Sequence, residues 1–338
     1  MKIKEWYSSR ASRMNIATKK ALLSGAALIL LFVVFSILKP DLFLSQTNLI
    51  NITQQVVTYS IIGFGLTFCL VCGGTDLSAG ASMALAGIIA VALLIQGLPI
   101  PVAILISLLF GVVMGILNGF SIEVLGVVPF IATLGTQWVF RGFANILVKG
   151  APIYTNVIPD KAVQDAFYVL GGGRVPASVP VFGSLPYSVI VTIVYGIILF
   201  FLLSKTRIGR QIYACGSNLE AAKLSGINVI GTRMFAYCIS GLSAAICGIL
   251  VASRVSSAQP TAGVGYELEA IAASVVGGVS INGGEGNILN TVIGALIMGV
   301  LRNGLNLNGV SSYWQQVIIG IILVVACASE ARRRKKAG

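Results

Sequence analysis

Long apolar runs separated by short polar breaks dominate the chain, and the runs have the length of membrane-crossing helices. The first covers residues 21–38, and the second, residues 56–96, holds a single charged residue, Asp76. At 1.5 Å per residue, one helix over this second run would be about twice as long as the roughly 30 Å hydrocarbon core of a bilayer. We therefore predict two helices there, separated at Gly73-Gly74-Thr75-Asp76.

The remaining apolar runs complete a bundle. Six of them have the length of one crossing, at residues 101–119, 129–148, 187–204, 234–253, 287–305 and 312–328. A further run, residues 266–278, is short and starts beside Glu267 and Glu269, so it is either a crossing or a re-entrant, broken helix. Counted as a crossing, it gives about ten transmembrane helices, and we predict an all-α, polytopic membrane protein.

Basic residues are concentrated in three segments that flank apolar runs. Residues 2–20 hold six lysines and arginines against one glutamate, and residues 205–233 and 330–336 each hold five against one acidic residue. Lysine and arginine accumulate in the cytoplasmic segments of membrane proteins, so we assign all three segments to the cytoplasm. Because these clusters lack interleaved aromatic residues, they do not indicate nucleic-acid binding.

This assignment divides the chain into three parts. Residues 1–20 form a cytoplasmic basic N-terminus, residues 330–338 a cytoplasmic basic tail, and residues 21–329 a single transmembrane domain. Both termini then lie on one side of the membrane, which requires an even number of crossings and favours ten. Within the domain, residues 205–233 form a cytoplasmic loop, and the Gly/Pro-rich residues 149–186 form an outer loop of a length that is usually functional.

Composition narrows the possible functions. Of 338 residues, 56% are hydrophobic and 10% are charged, against about a quarter charged in soluble domains. Histidine is absent, which excludes Ser-His-Asp catalysis and histidine-ligated zinc or haem. Cys69 and Cys72 form a Cys-x-x-C pair inside an apolar run without a second pair, so we expect packing rather than metal binding. We predict neither a catalytic nor a metal site.

Gly111, Gly115 and Gly119 recur at every fourth residue of one predicted helix. Such a stripe is typical of closely packed transmembrane helices, and a substrate passage is the alternative. The packing interpretation requires a neighbouring helix whose backbone approaches this face.

Two predicted turns resemble each other. Residues 71–80 and 275–284 both place a Gly pair before a small polar residue, an aliphatic residue and another Gly. The span count puts both turns on the same side of the membrane, and either a duplication or convergent turn chemistry explains the likeness. Asp76, in the first turn, is either the N-cap of a helix that starts at Leu77 or a polar group that lines a path.

A capped helix is predicted inside residues 205–233. Ser217-Asn218-Leu219-Glu220 has the pattern of a capping box, the following alanines favour helix, and Gly226 is placed to end it. A helix of about eight residues is not stable alone in water, so we expect a partner to dock on it.

The same segment resembles a known family. Residues 220–226 match the E-A-A-x-x-x-G pattern by which permease subunits of bacterial ABC importers place a coupling helix on their ATPase. Residues 73–80 resemble the G-G-x-D-L-S-x-G segment of sugar permeases, and residues 256–273 and 303–313 are very close to those of ribose-type permeases. Over residues 43–326 the chain is similar to the ribose-type subunits of the branched-chain amino acid/sugar permease superfamily.

The resemblance implies a fold and a set of partners. It implies a type II ABC importer-like permease of the bacterial inner (plasma) membrane, paired with a second permease copy, either itself or a paralogue. An extracytoplasmic sugar-binding protein would deliver the solute, and a separate ATP-binding cassette subunit would bind ATP and Mg²⁺. The chain has no G-x-x-x-x-G-K-[ST] phosphate loop, which agrees with a transport subunit that carries no cofactor and is not an enzyme. The outer loop and Arg254 are candidates for contact with the binding protein.

Individual roles follow from the resemblance and from side-chain chemistry. The resemblance implies an ATPase-coupling helix that includes Ser217, Asn218, Glu220, Ala221, Ala222 and Gly226. Glu220 would cap and orient this helix, and the alanines and Gly226 would fit the ATPase groove. The hydrogen-bonding side chains that suit the path of a neutral polyol are Asp76, Asn118, Gln137, Asn303, Asn306 and Gln315. Trp138 and Trp314 are more typical of interfacial anchors.

Several alternatives stay open. The implied solute is ribose, and galactose, arabinose, xylose, autoinducer-2 or a nucleoside are the other candidates. One departure from the family, Arg302 in place of a common Asn, either alters the path or lies at the outer rim. A different class of protein, an ion-coupled secondary transporter, would need a buried carboxylate relay, which could be built from Asp76, Glu267, Glu269 and Glu285.

Overall fold

The structure, a computed structural model, describes residues 16–179 and 184–335. Residues 1–15 and 336–338, which hold part of the predicted basic N-terminus and the end of the predicted basic tail, lie outside the described residues. The described part is built of helices, with two short strands. These strands, β1 (Ile153–Tyr154) and β2 (Ser257–Ala258), pair antiparallel.

The helices occupy almost all of the predicted apolar runs. In chain order they are α1 (Ile16–Leu38), α2 (Pro40–Phe43), α3 (Gln46–Val71), α4 (Ala79–Ile95), α5 (Ile100–Glu123), α6 (Pro129–Val148), α7 (Lys161–Gly172), α8 (Tyr187–Lys205), α9 (Arg207–Ser217), α10 (Leu219–Leu224), α11 (Val229–Val255), α12 (Tyr266–Gly277), α13 (Ile288–Leu307) and α14 (Ser312–Lys335). Each of the ten predicted spans coincides with one of them. In the described part, α3, α5, α8, α11 and α13 are long and apolar enough to cross a membrane by themselves.

The long run at residues 56–96 is divided as predicted. Helix α3 ends at Val71 and α4 begins at Ala79, and Gly73 takes a left-handed φ of +80° in the turn between them. Helix α3 starts ten residues before the predicted run, because the Ser45 side chain accepts a hydrogen bond from the Asn48 N–H and caps the helix there. The all-α class and the division of this run into two helices are therefore confirmed.

Helix α12 explains the short run at residues 266–278. Its 12 residues rise only about 18 Å, which is less than a bilayer core of roughly 30 Å. The irregular residues 259–265 precede it, and Gly263 of that segment lies against Gly80 at the start of α4. A Cβ at Gly80 would overlap the Gly263 carbonyl, so glycine is required for this contact. Because β2 follows the far end of α11 and the turn after α12 lies beside Gly216, the irregular segment and α12 together pass from one end of the bundle to the other. The run is therefore a crossing that contains a broken helix.

Helix α11 forms the centre of the bundle and packs against α3, α4 and α5. Its contact with α5 uses the predicted glycine stripe. A Cβ added at Gly111 would lie 2.5 Å from the Ala245 Cβ, and one added at Gly115 would overlap the Tyr237 carbonyl. At this glycine stripe α5 and α11 are so close that their backbones touch, and the packing interpretation is confirmed.

Substitution of Gly115 by alanine is expected to lower the unfolding free energy by about 1–3 kcal/mol, the usual cost of overpacking. The matched control is Gly142→Ala on α6, where an added Cβ meets no heavy atom within 4 Å. Helix propensity predicts that this control is neutral or stabilising by up to about 1 kcal/mol. Thermal unfolding of both variants in detergent, followed by circular dichroism, compares the two. Equal effects would contradict the packing role.

The two similar turns meet on one side of the bundle, as the span count predicts. The Gly284 N–H donates to the Val71 carbonyl at 2.9 Å. A Cβ at Gly283 would lie 2.9 Å from Gly216 Cα and 3.0 Å from Gly73 Cα, so three glycine backbones touch here. Gly216 belongs to α9, which places the joined turns next to the segment that carries α10.

The outer loop contains more structure than predicted. Helix α7 begins after Asp160, whose side chain accepts a hydrogen bond from the Ala162 N–H. Its Phe167 is fully buried, and the Ser253 hydroxyl near the end of α11 donates to the Phe167 carbonyl at 2.6 Å. Because α11 has 27 residues and is about 40 Å long, α7 and α10 lie at opposite ends of the bundle.

Candidate functional site

The short helix α10 has six residues and is held at both ends. The Asn218 Oδ1 accepts a hydrogen bond from the Ala221 N–H at 3.0 Å and caps its start. Ser217 still belongs to the last turn of α9, and its hydroxyl donates to the Tyr213 carbonyl. The predicted capping box with Ser217 as N-cap is therefore wrong, because only Asn218 has the extended backbone that a cap needs. Gly226, at φ +76°, ends the segment as predicted.

The two faces of α10 differ sharply. Ala222 is 3% exposed and packs in the core with Val71 and Val229. Leu224 is 89% exposed, and Glu220 pairs with Lys223 on the exposed side at 3.3 Å. Such an exposed pair contributes little stability.

Two of the implied roles on α10 need correction. Ala222 cannot fit the groove of another subunit, because it is buried inside its own chain. Glu220 does not cap the helix, because its side chain pairs with Lys223 and the cap is Asn218. Ala221 and Gly226 are exposed, as a docking surface requires.

Asp76 is the centre of a buried hydrogen-bond network. Its Oδ1 accepts from the Ser78 N–H at 2.9 Å, from the Ser78 hydroxyl at 2.7 Å and from the Asn118 amide at 3.3 Å, and its Oδ2 accepts from the Ser240 hydroxyl at 2.6 Å. The Asn118 Oδ1 accepts in turn from the Thr136 hydroxyl. Because α4 begins at Ala79 with Ser78 before it, the interpretation of Asp76 as the N-cap is wrong. The network instead ties the turn before α4 to α5, α6 and α11.

Gln137 of α6 lies beside the start of α12. Its amide donates to the Glu267 Oε1 at 3.2 Å, and the Glu267 Oε2 is buried against Gly80. One turn further along α6, Arg141 donates to the carbonyls of Pro260 and Ala262. This pair of α6 side chains therefore holds the irregular segment and the first turn of α12.

Arg302 lies near the end of α13, and its side chain is partly exposed. Its Nη1 donates to both Glu269 carboxylate oxygens, at 2.9 and 2.7 Å, and to the Tyr59 hydroxyl at 2.7 Å. The contacts join α3, α12 and α13, and both alternatives for Arg302, a change of the path and a place at the outer rim, stay predictions. The Glu269 side chain is 12% exposed and that of Arg302 is 31% exposed.

The other predicted path residues occur in amide pairs. Asn303 and Asn48 exchange hydrogen bonds at 2.8 and 3.0 Å in a buried contact between α13 and α3. The Gln315 amide donates to the Asn306 Oδ1 at 2.6 Å. The structure thus divides the six predicted residues among four separate polar clusters, and their lining of a path stays a prediction.

The aromatic and basic candidates have simpler environments. Trp138 and Trp314 are exposed on the surface of the chain, as interfacial anchors are. Arg254 is half-buried, and its guanidinium donates to the Gln54 carbonyl at 3.3 Å, so it connects α11 to α3.

Replacement of Arg302 by asparagine is expected to cost about 3 kcal/mol of stability, because Glu269 then stays in the bundle without its cation. This is the low end of the range, since Arg302 keeps 31% of its side-chain surface exposed. Unfolding of the purified chain in detergent measures the loss. Addition of Glu269→Gln removes the stranded charge and should restore most of the stability. A double variant no better than Arg302→Asn alone would contradict the pairing.

Comparison with known proteins agrees with this architecture. A family model described as the permease component of branched-chain amino acid transport systems matches residues 48–327. The chain belongs to this permease family.

Among curated relatives, the chain is 42% identical to the ribose import permease protein of Haemophilus influenzae over 91% of this chain and 92% of that protein. It is 40% identical to the ribose import permease protein of Bacillus subtilis over 90% of this chain and 91% of that protein. It is 36% identical to the galactose/methyl galactoside import permease protein of Escherichia coli K12 over 96% of this chain and 100% of that protein. No solved structure matches.

Several polar contacts of this permease were missed from the sequence. Ser78 and Ser240 complete the Asp76 network, and Glu269 pairs with Arg302 from 33 residues away. The serines carry no distinctive signal, whereas an arginine and a glutamate in neighbouring apolar runs do indicate a pair. Leu224 was also missed, although it is the apolar residue that follows Lys223 in a polar loop.

Proposed function

We propose that this permease is the membrane-spanning subunit of an ATP-driven importer and that its solute is ribose. The observation that supports the solute most strongly is the similarity to two proteins named ribose import permeases, which extends over about nine-tenths of the chain. A galactose or methyl galactoside is the second candidate, supported by the relative of that name, which is matched along its whole length.

The partners and orientation belong to the same proposal. A separate ATP-binding cassette subunit, which binds ATP and Mg²⁺, docks on the exposed face of α10. An extracytoplasmic sugar-binding protein docks at the opposite end, near α7 and the outer loop. A second permease copy, either this chain or a paralogue, completes the core of the importer. The end of the bundle that carries α10 faces the cytoplasm, with both termini.

The environment of the acidic residues supports ATP drive over ion coupling. A relay requires carboxylates that pass a proton or cation from one to the next. Asp76 is bonded to serines and an asparagine, Glu267 to Gln137, and Glu269 to Arg302. Three of the four candidate relay members are thus each engaged with different partners.

Uptake of radiolabelled D-ribose tests the solute. The permease is produced together with an ATP-binding cassette subunit and a sugar-binding protein from the same organism, in a bacterial strain that lacks its own ribose permease. We expect uptake that requires all three proteins and that unlabelled ribose abolishes. Uptake of radiolabelled galactose without uptake of radiolabelled ribose would replace ribose as the solute, and ribose uptake without the permease would contradict its role.

A further inference from the structure

A cavity of about 160 Å³ lies inside the chain, between the middle of α4, the last turns of α11 and the residues that follow β2. It is near the end of the bundle opposite α10, since α11 runs from one end to the other. Its lining includes Val255 and Gln259, which are exposed, so the cavity opens to the surface there.

Close backbone contacts form the floor of this cavity. A Cβ at Gly248 of α11 would overlap the Met83 carbonyl of α4, and a Cβ at Gly263 would lie 3.1 Å from the Met83 sulfur. Below this floor lies the contact between Gly80 and Gly263, at the first turn of α4. The cavity is therefore open on one side and closed toward the Asp76 network.

The lining combines a few polar groups with apolar walls. Arg254, Gln259, Tyr266 and Ser257 supply a guanidinium, an amide, a phenol and a hydroxyl. Arg254 donates a hydrogen bond to the Gln54 carbonyl, and a guanidinium has five N–H donors in all. The residues that line the cavity include no carboxylate. Such a surface suits a small neutral ligand that has many hydroxyl groups.

The size also limits the ligand. Pockets for drug-sized molecules measure roughly 300–1,000 Å³, so this cavity suits a molecule of one small ring. Tyr266 is one of the lining residues, and its ring packs edge to face on Tyr59, with ring centroids 6.3 Å apart. Tyr59 in turn accepts the hydrogen bond from Arg302, which connects the cavity wall to the ion pair of α12 and α13.

We infer that this cavity is a monosaccharide subsite of the transport path. Arg254 and Gln259 bind sugar hydroxyls, and Tyr266 packs against the sugar ring. The inference rests on the proposed function, which supplies the class of solute.

Cysteine protection tests this subsite in the purified full-length permease in lipid nanodiscs. Ser257→Cys is nearly isosteric and places a thiol in the lining, and Ala262→Cys is an independent second reporter. The rate of reaction with a polar thiol reagent is measured with and without D-ribose at about ten times the Kd, where occupancy slows a competing reaction about tenfold. The wild-type chain is measured alongside, because Cys238 and Cys327 are partly exposed.

The control reporter is Val264→Cys, which is exposed and outside the lining. We expect ribose to slow labelling at positions 257 and 262 about tenfold and to leave position 264 unchanged. Adding Gln259→Ala should weaken the protection without changing the rate in the absence of sugar.

The outcomes separate the subsite from the proposed function. If galactose but not ribose protects the two cysteine reporters, the cavity is still a sugar subsite, and the proposed solute changes from ribose to galactose. If no monosaccharide protects either reporter while cells take up ribose through this permease, the subsite is wrong and the transport function stands. Equal slowing at position 264 would also overturn the subsite, because it would show an effect that is not local to the cavity.

Discussion

Replacement of Leu224 by aspartate is expected to abolish sugar uptake while the permease itself folds normally. Leu224 is 89% exposed at the end of α10, so the change disturbs no contact within the chain. In a complex with the ATPase subunit, the new carboxylate would be buried without a partner. Such a charge costs about 3 kcal/mol or more, which corresponds to more than about 100-fold weaker binding.

Co-purification of the ATPase subunit with the permease, measured beside uptake, checks this result. The matched variant on the same helix is Ala222→Leu, which overpacks the core under α10 and should lower the unfolding free energy by about 1–3 kcal/mol. The two variants therefore separate docking from folding. If Ala222→Leu bound the ATPase poorly at full stability and Leu224→Asp bound it normally, the assignment of the two faces would be reversed.

Replacement of Asp76 by alanine is expected to remove about 3 kcal/mol or more of stability, because each buried donor left unsatisfied costs about 1–3 kcal/mol. The side chains of Ser78, Asn118 and Ser240 all donate to this carboxylate, which is 1% exposed. With a total stability of only about 5–15 kcal/mol, little folded permease should then reach the membrane. Membrane abundance and thermal unfolding measure the loss.

Asp76→Asn is the informative control. An amide keeps one oxygen for Ser78 and can donate to the Ser240 hydroxyl, which accepts as readily as it donates. We expect most of the folded protein and most of the uptake to survive. An ion-coupled carrier that used Asp76 to bind its ion would lose transport with this change, so a folded but inactive variant would contradict the positioning role.

The periodic features of the chain were predictable, because each depends on neighbours in sequence. Residues 56–96 exceed one crossing, and the glycines near residue 73 are the natural break, so α3 and α4 follow from length alone. The glycine stripe of α5 likewise predicts a close helix contact, although not that α11 supplies it.

Other features depend on contacts between distant residues and could not be predicted. Ala222 and Leu224 are two positions apart, and which one faces inward depends on the apolar surface formed by Val71 and Val229. The composition of residues 149–186 indicates a loop, yet Phe167 and Ser253 anchor a helix there. The candidate path residues illustrate the same limit. Their chemistry was evident, whereas the division of Asn303 and Asp76 between separate clusters required the fold.

The most direct test of ATP drive through α10 is transport in proteoliposomes without ion gradients. The permease is reconstituted with its ATPase subunit, ATP is supplied on the side that α10 faces, and the loaded sugar-binding protein is supplied on the other side. We expect sugar uptake that stops when ATP is replaced by a non-hydrolysable analogue and that is absent with Leu224→Asp. Uptake by the permease alone, driven by a proton or sodium gradient without nucleotide, would contradict it.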